Sequence, residues 1–302
     1  MELEINRVKK ILFIEIRSSG EPRIIAQLAG YMNKVIERYN GYPVIIAPFI
    51  SSRGRDLCKE LGIGFVDLAG NAYIKFEGVL IERWGKENPK KDNRILKSLF
   101  STKSTWVIRT LLDDSKRSWT SSELSDEAKV SIGQVYKVTE KLANEGYLEK
   151  ERGAIRLLKP GDLLDSWAKI YKFDDHEIVG YYCPLKDQKE ILKALTKISK
   201  ENYAVTLGAA ASIVAPFVRS TDVNLYIKNN TKKVIQALKL TPVEFGGNVY
   251  LIQPSDEGIF FNTQYRQGLS MVSNIQLYLD LYNYPMRGRE QADFLREKIL
   301  GI

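Results

Sequence analysis

Two spacings of apolar residues divide this chain of 302 residues. Short apolar runs and strict alternation suit strands, whereas recurrence every three or four positions suits helices. Ile11 to Ile16 is a run of the buried-strand type ending at Ser18-Ser19-Gly20. From Arg23 to Tyr39 the spacing turns helical, with Ile24, Ile25, Leu28, Val35 and Ile36 available to one face. Pro43 to Pro48 predicts a second strand, Gly54 to Leu61 a second helix and Phe65 to Leu68 a third strand. Asn71 to Phe76 and Val79 to Arg83 predict a hairpin turning at Glu77-Gly78. Strand and helix in alternation imply a small sheet with parallel pairs and helices on its faces. Gly85 to Asn93 is polar and charged, a linker by composition, and helical spacing resumes by Ile95. Ser104 to Leu112 predicts a further helix through Val107, Ile108, Leu111 and Leu112.

The segment from Trp119 to Leu158 carries the most local information. Thr120 followed three residues later by Glu123 is a capping box, and the helix it opens ends near Lys129. Ser131 caps a second helix in which Val135, Val138 and Leu142 form one apolar stripe. Its other face shows Gln134, Lys137 and Lys141, with Tyr136 beside them, and Gly146 stops it as a left-handed C-terminal cap. Tyr147 to Leu158 predicts two short strands around a tight turn at Arg152-Gly153. Helix, turn, helix with a polar and basic face, then hairpin: this is the pattern of a winged helix-turn-helix. In that setting Gln134 can read an adenine edge, Lys137 and Lys141 meet phosphate, Ser131 and the helix N-terminus hold another phosphate, and Arg152 reaches backbone or minor groove. Gln134 can equally complete a capping box with Ser131, Tyr136 can pack against a neighbour, and the lysines can be solvated.

Pro160 to Tyr171 is amphipathic through Leu163, Leu164, Trp167 and Ile170, either a dimerisation element or a cover for its own module. Beyond Asp174 helices and strands mix again. Asp187–Ser199, Gly208–Val214, Lys232–Leu238, Ser273–Tyr282 and Gly288–Ile299 have helical spacing. Tyr203–Leu207 and Val223–Ile227 are strands, with Val249–Ile252 and Ile259–Phe261 as paired strand candidates. Gly246-Gly247-Asn248 is a turn signal, since no strand-to-helix context follows it. The expected fold class is α/β (α+β, multidomain). Its expected parts are an α/β domain over 1–85, a linker over 86–98, a winged helix with trailing helix over 99–173, and a second α/β domain over 174–302.

Composition adds little beyond an ordinary globular chain. The formal net charge of +8 makes polyanions plausible partners. Between Lys86 and Lys159 sixteen basic side chains face eleven acidic ones, so much of the excess sits in and just before the winged segment. No apolar run is long enough for a membrane span, and the charged N-terminus lacks a secretory pattern, so a cytoplasmic protein is expected. Cys58 and Cys183 are far apart and suggest no disulfide framework. His176 is the single histidine, which argues against a zinc site and against most triads. No cofactor and no metal site are expected.

Two stretches resemble enzyme families. Glu15-Ile16-Arg17 at a strand end, then Gly20, then Gln27 and Tyr31 on the next helix, look like the second half of a PD-(D/E)xK nuclease core. Arg17 stands where that family has lysine, and upstream acids are confined to Glu2 and Glu4, so a degenerate nuclease-like fold is expected. Leu207-Gly208-Ala209 followed by Asp222-Val223-Asn224 resembles the nucleotidyltransferase pattern of a small turn facing Asp-x-Asp. Asn224 replaces the second acid, so a degenerate relative is expected there too.

A third resemblance covers roughly residues 100 to 300. The winged segment, Leu163–Ala168, Tyr203–Thr206, Pro242–Leu251, Pro254–Gly258, Gln276–Leu281 and Arg287–Ala292 are similar to transcriptional regulators of the AbiEi type, the antitoxin half of a type IV toxin-antitoxin pair. That resemblance implies promoter binding, often to inverted repeats, with autorepression and a toxin encoded nearby. The expected protein is a DNA-binding regulator and not an enzyme, acting as a homodimer on double-stranded DNA, with no membrane partner. The alternative is a nucleic-acid-processing enzyme, a metal-dependent nuclease through Glu15 or a nucleotidyltransferase through Asp222. A scaffold whose winged helix binds protein is a third reading.

Overall fold

The computed structural model describes residues 2–5, 8–39, 41–84 and 99–302. The linker expected over 86–98, and Ile95 with it, lies outside the described residues. The chain divides into two compact units. The first holds Met1–Leu99, Lys116–Ser125 and Ser131–Lys159; the second holds Phe100–Ser115, Asp126–Val130 and Pro160–Ile302. The architecture is mixed α/β, as the two spacings predict.

In the first unit, β1 (Glu2–Ile5) pairs antiparallel with β2 (Val8–Ile16). β3 (Tyr42–Ala47) and β4 (Gly64–Asp67) extend the sheet in parallel. The hairpin β5 (Ala72–Phe76) and β6 (Val79–Arg83) completes the order β1-β2-β3-β4-β5-β6. Helices α1 (Pro22–Tyr39) and α2 (Ser52–Glu60) make the crossovers, and the Ser51 hydroxyl caps α2 by accepting from the Gly54 amide at 3.1 Å. Alternation along β3 sends Ile45 and Ala47 beneath the helices with Ile25, Leu28, Met32, Cys58 and Phe65. Tyr42 and Val44 go to the other face with Leu12, Ile74, Phe76 and Val79. Both helices therefore cover one face. The strands advance β2, β3, β4 in a single direction, and right-handed crossovers made in one direction fall on one side.

Chain order continues with α3 (Thr102–Asp113), β7 (Ser118–Trp119), α4 (Ser121–Ala128), α5 (Ile132–Asn144), β8 (Leu148–Glu151) and β9 (Ala154–Leu157). The last two strands and β7 form a three-stranded antiparallel sheet in the order β7-β9-β8. The capping box before α4 is complete. The Thr120 amide donates to Glu123 Oε2 at 2.8 Å, and the Glu123 amide donates back to Thr120 Oγ1 at 3.2 Å. Gly146 adopts φ +73°, the left-handed stop its sequence position predicts.

The second unit adds α6 (Pro160–Ala168), β10 (Glu177–Tyr182), α7 (Gln188–Leu195), β11 (Tyr203–Thr206), α8 (Leu207–Val214), β12 (Val223–Ile227) and α9 (Thr231–Leu238). β13 (Thr241–Pro242), β14 (Val249–Gln253), β15 (Gln264–Arg266), β16 (Leu269–Met271), α10 (Asn274–Tyr282) and α11 (Gly288–Leu295) follow. The strands form one mixed sheet in the order β13-β10-β14-β12-β11-β16-β15. Two expectations change here. Ile259–Phe261 is no strand: Glu257–Phe260 is a 3-10 turn, opened by Asp256 accepting from the Gly258 amide at 2.9 Å. The partners of β14 are instead β10, which apolar spacing had not flagged, and β12. Gly246-Gly247-Asn248 is a turn as expected, and Asn248 pins it by accepting from the Cys183 amide at 2.7 Å and donating to the Cys183 carbonyl at 3.0 Å.

Helix α10 is buried on every side from Ile275 to Tyr282, including Gln276 and Asp280 one turn apart. Polar groups at such depth need partners. The Asp280 carboxylate accepts from Thr206 Oγ1 at 2.5 Å, Tyr171 at 2.7 Å, Tyr226 at 3.0 Å and Gln276 Nε2 at 2.5 Å. Gln276 Oε1 in turn accepts from the Arg109 guanidinium at 2.5 Å, which lies 4.8 Å from the Trp167 ring centre. His176 closes the group. Its Nδ1 accepts from the Ser255 amide at 3.2 Å, which leaves Nε2 protonated to donate to the Tyr171 hydroxyl at 3.0 Å. Burial lowers the His176 pKa against the opposing pull of Asp175 and Asp256, so the ring is neutral. The single histidine is thus a structural one.

Burial also raises the Asp280 carboxyl to about 6, against the lowering effect of its four donors. A folded pKa above the unfolded one means stability that is fully present below the unfolded value, roughly 4, and lost as pH rises to the folded one. Urea midpoints should fall between those two pH values by an amount worth on the order of 2–3 kcal/mol, and the slope should vanish in Asp280→Asn. At pH 7, Asp280→Ala should destabilise by about 3–5 kcal/mol in urea melts, because four buried donors lose their acceptor and buried Arg109 loses one of its neighbouring charges. An equal loss from Ala replacement at an exposed carboxylate such as Glu151 would refute this role.

Candidate nucleic-acid interface

Helix α5 starts where Ser131 leaves extended backbone (φ −67°, ψ 150°) and its hydroxyl accepts from the Gln134 amide at 3.3 Å. Val135, Val138, Thr139 and Leu142 are buried, as the stripe predicts. Thr139 satisfies its hydroxyl on the Val135 carbonyl at 2.8 Å, so a polar residue sits in the stripe without an orphan group. Ser131, Ile132, Gly133, Tyr136 and Lys137 are exposed, while Gln134 and Lys141 are half-buried. The six residues singled out from sequence lie along one helix and its hairpin, but they are not equally available. Lys137 makes no ion pair among the described residues. The Tyr136 ring lies 4.6 Å from Lys150 Nζ, which also binds Glu140 at 2.9 Å, so β8 is braced against the helix. That hydrogen bond is the main reason the Glu140 carboxyl is held below its ordinary range.

The C-terminal end of α5 is engaged within its own unit. Arg23 of α1 lies 3.6 Å from Glu140 and donates to Asn144 Oδ1 at 3.3 Å, and Pro22 packs beside Gly146. No sequence spacing pointed to this contact. It leaves the first turn of α5 open, where unpaired backbone amides and the positive end of the helix dipole favour an anion. The hairpin tip is a two-residue turn with positive φ at Arg152 (+48°) and Gly153 (+85°). That twist suits the hairpin, and glycine accepts it freely. Arginine does not, so Arg152 occupies a strained position while exposed.

At the end of β2, Glu15 and Arg17 share one side of the strand and pair with each other at 2.5 Å. The upstream acids Glu2 and Glu4 lie within 4.0 and 3.5 Å of Lys9 across the β1–β2 ladder. Gln27 is exposed on α1 and makes no side-chain hydrogen bond among the described residues. Lys9 is the cationic side chain that these upstream carboxylates face.

The nucleotidyltransferase-like residues do come together. Gly208, Asp222 and Asn224 line one cleft of about 250 Å³ in the second unit. A side chain at Gly208 would collide with Ser220, so glycine is required for the loop before β12 to lie over the start of α8. Asp222 accepts from the Thr221 hydroxyl at 3.0 Å, and Asn224 is 4 % exposed. Among the described residues no three His, Cys, Asp or Glu side chains are grouped to hold a metal ion. Cys58 and Cys183 are buried free thiols, and burial pushes Cys58 up to about 12. No helix among the described residues is long and apolar enough to cross a membrane.

No curated protein and no solved structure matches the chain. Residues 156–301 do match the family model described as transcriptional regulator, AbiEi antitoxin, type IV toxin-antitoxin system. The match begins at Arg156 in β9 and runs through the second α/β region, including α10 and the cleft. Residues 156–301 are therefore similar to the AbiEi antitoxin family of transcriptional regulators.

Proposed function

We propose that this chain is a cytoplasmic transcriptional regulator that binds duplex DNA by laying the first turns of α5 in the major groove, with the β8–β9 hairpin on the adjacent backbone. The observation that carries the reading is the open first half of α5. Ser131, Ile132, Gly133, Tyr136 and Lys137 face solvent there, above a fully buried opposite stripe. Ile132 is 56 % and Tyr136 60 % exposed, so apolar surface is offered beside the lysines. Against a groove, Ile132 meets thymine methyls, Gln134 an adenine edge, and Lys137, Lys141 and Ser131 phosphates. Arg152 reaches the backbone or minor groove beyond. A homodimer would present two such helices to an inverted repeat, and a cognate toxin is the protein partner expected for a member of this antitoxin family.

The enzymatic alternative is the weaker one. Its nuclease form lacks a lysine at Arg17, and its transferase form lacks a second carboxylate at Asn224.

Gel-shift titrations over a salt series decide the matter. Lys137→Ala with Lys141→Ala should weaken binding to every duplex and reduce the slope of log K against log salt by about 0.9 per lost phosphate contact. Unchanged affinity and slope would remove α5 from the interface. Arg152→Asn separates strain from contact. Asparagine tolerates positive φ better, so the variant should gain up to about 1 kcal/mol of stability while losing DNA affinity. Thermal melts and the same gel shifts read the two effects independently.

A further inference from the structure

The cleft at Asp222 and Asn224 has no part in DNA binding by α5, and its chemistry is specific. We propose that it is a binding site for a nucleoside 5′-monophosphate, taken up without a metal ion. Three observations converge on that class of ligand.

Two helices open at the cleft without side-chain caps. Thr206 stands at the N-cap of α8 but gives its hydroxyl to Asp280, and α11 is preceded by Arg287, whose guanidinium is turned to Glu290 at 2.6 Å. First-turn amides at Gly208 are therefore offered to an anion. Arg219 lines the same cleft and makes no ion pair, hydrogen bond or ring contact among the described residues. Amides and guanidinium together fit the phosphate.

Asn224 is the second observation. Its residue is 96 % buried by the exposure above, it lines the cleft, and it makes no side-chain hydrogen bond among the described residues. On β12 it shares a face with Tyr226, whose hydroxyl donates to Asp280 at 3.0 Å. A carboxamide at such depth is expected to have partners, and here the open space in front of it is the cleft. An amide offers one acceptor and two donors, which suits a base or a ribose rather than a bare anion. Asp222 strengthens that selection, since its carboxylate repels a bare phosphate but accepts from a sugar hydroxyl or a base amino group.

The third observation is the remaining wall, where the Tyr284 ring and the Met286 side chain supply apolar surface. Met286 is 84 % exposed and, with Arg287, holds positive φ (+58° and +68°), an uncommon conformation for two consecutive residues with side chains. A ligand with an anionic end, hydroxyl and amide groups in the middle and a flat apolar face matches all three regions.

The experiment is calorimetric titration of the full chain, in EDTA, with AMP, GMP, CMP, UMP and inorganic phosphate. At least one nucleotide should bind, more tightly than phosphate does. Arg219→Ala, an exposed change that leaves the fold intact, should weaken that nucleotide about tenfold or more. Asn224→Leu, with a melt to show that it folds, should narrow the difference between nucleotide and phosphate. Binding by none of the five probes, phosphate binding as tightly as every nucleotide, or an Arg219→Ala variant with unchanged affinity would each overturn the proposal.

Discussion

A carboxylate with no route to water organises the second unit. Asp280 lies on a helix buried on all sides, and four donors from three other segments and from its own helix converge on it. A charge in that setting is tolerable only if its donors are fixed, so the carboxylate dictates where Tyr171, Thr206 and Tyr226 must stand. Arg109 completes the group through Gln276, with Trp167 against its face. Its Nε and Nη1 atoms have no hydrogen-bond partner among the described residues, which makes the neighbouring carboxylates and the indole face the compensation for its burial. Arg109 thereby fixes α3 to the buried helix α10 within this unit.

The same hydroxyl geometry shapes the cleft. Thr206 directs its hydroxyl to Asp280 and makes no cap to α8, so the first-turn amides of that helix stay unsatisfied by side chains. Gly208 then lets the loop before β12 approach those amides closely. The buried carboxylate at the centre of the unit and the open donors at its edge thus meet at one residue, Thr206. On α5 the division runs along the helix instead. Arg23 and Pro22 occupy the C-terminal end, and the capped N-terminal turn remains the exposed one.

What the sequence disclosed is governed by range. The capping box at Thr120 and Glu123, the Ser131 cap, the stop at Gly146 and the buried stripe Val135-Val138-Leu142 all depend on neighbours within one or two turns, and each could be read directly. Asp280 could not be understood that way. It stands between Leu279 and Leu281, but three of its four donors come from residues 54 to 109 positions away. Strand β10 was missed because Gly180 interrupts its apolar pattern and because Ile178 and Val179 are both well exposed. Ile259–Phe261 has strand-like composition, yet Asp256 caps a turn there and Gly258 fits closely against Trp106, a tertiary contact that overrides local preference. The grouping of Gly208, Asp222 and Asn224 followed from the resemblance to the nucleotidyltransferase pattern; the fact that Asn224 makes no side-chain hydrogen bond among the described residues did not.

The identity of residue 224 has a consequence for charge. Two carboxylates on alternate positions of β12 would face one low-dielectric cleft, and without a cation between them one would have to stay protonated. With asparagine in place, Asp222 is the sole acid of that pair, and Thr221 already gives it a donor. The cleft can then remain folded and open without a metal ion to neutralise it. An electrostatic site built for a cation has two acids and few free donors; this one has a single acid, an uncapped helix start and an arginine with no ion pair among the described residues. That balance of donors over acceptors favours an anionic guest whose non-phosphate portion brings the hydroxyl or amino group that Asp222 accepts.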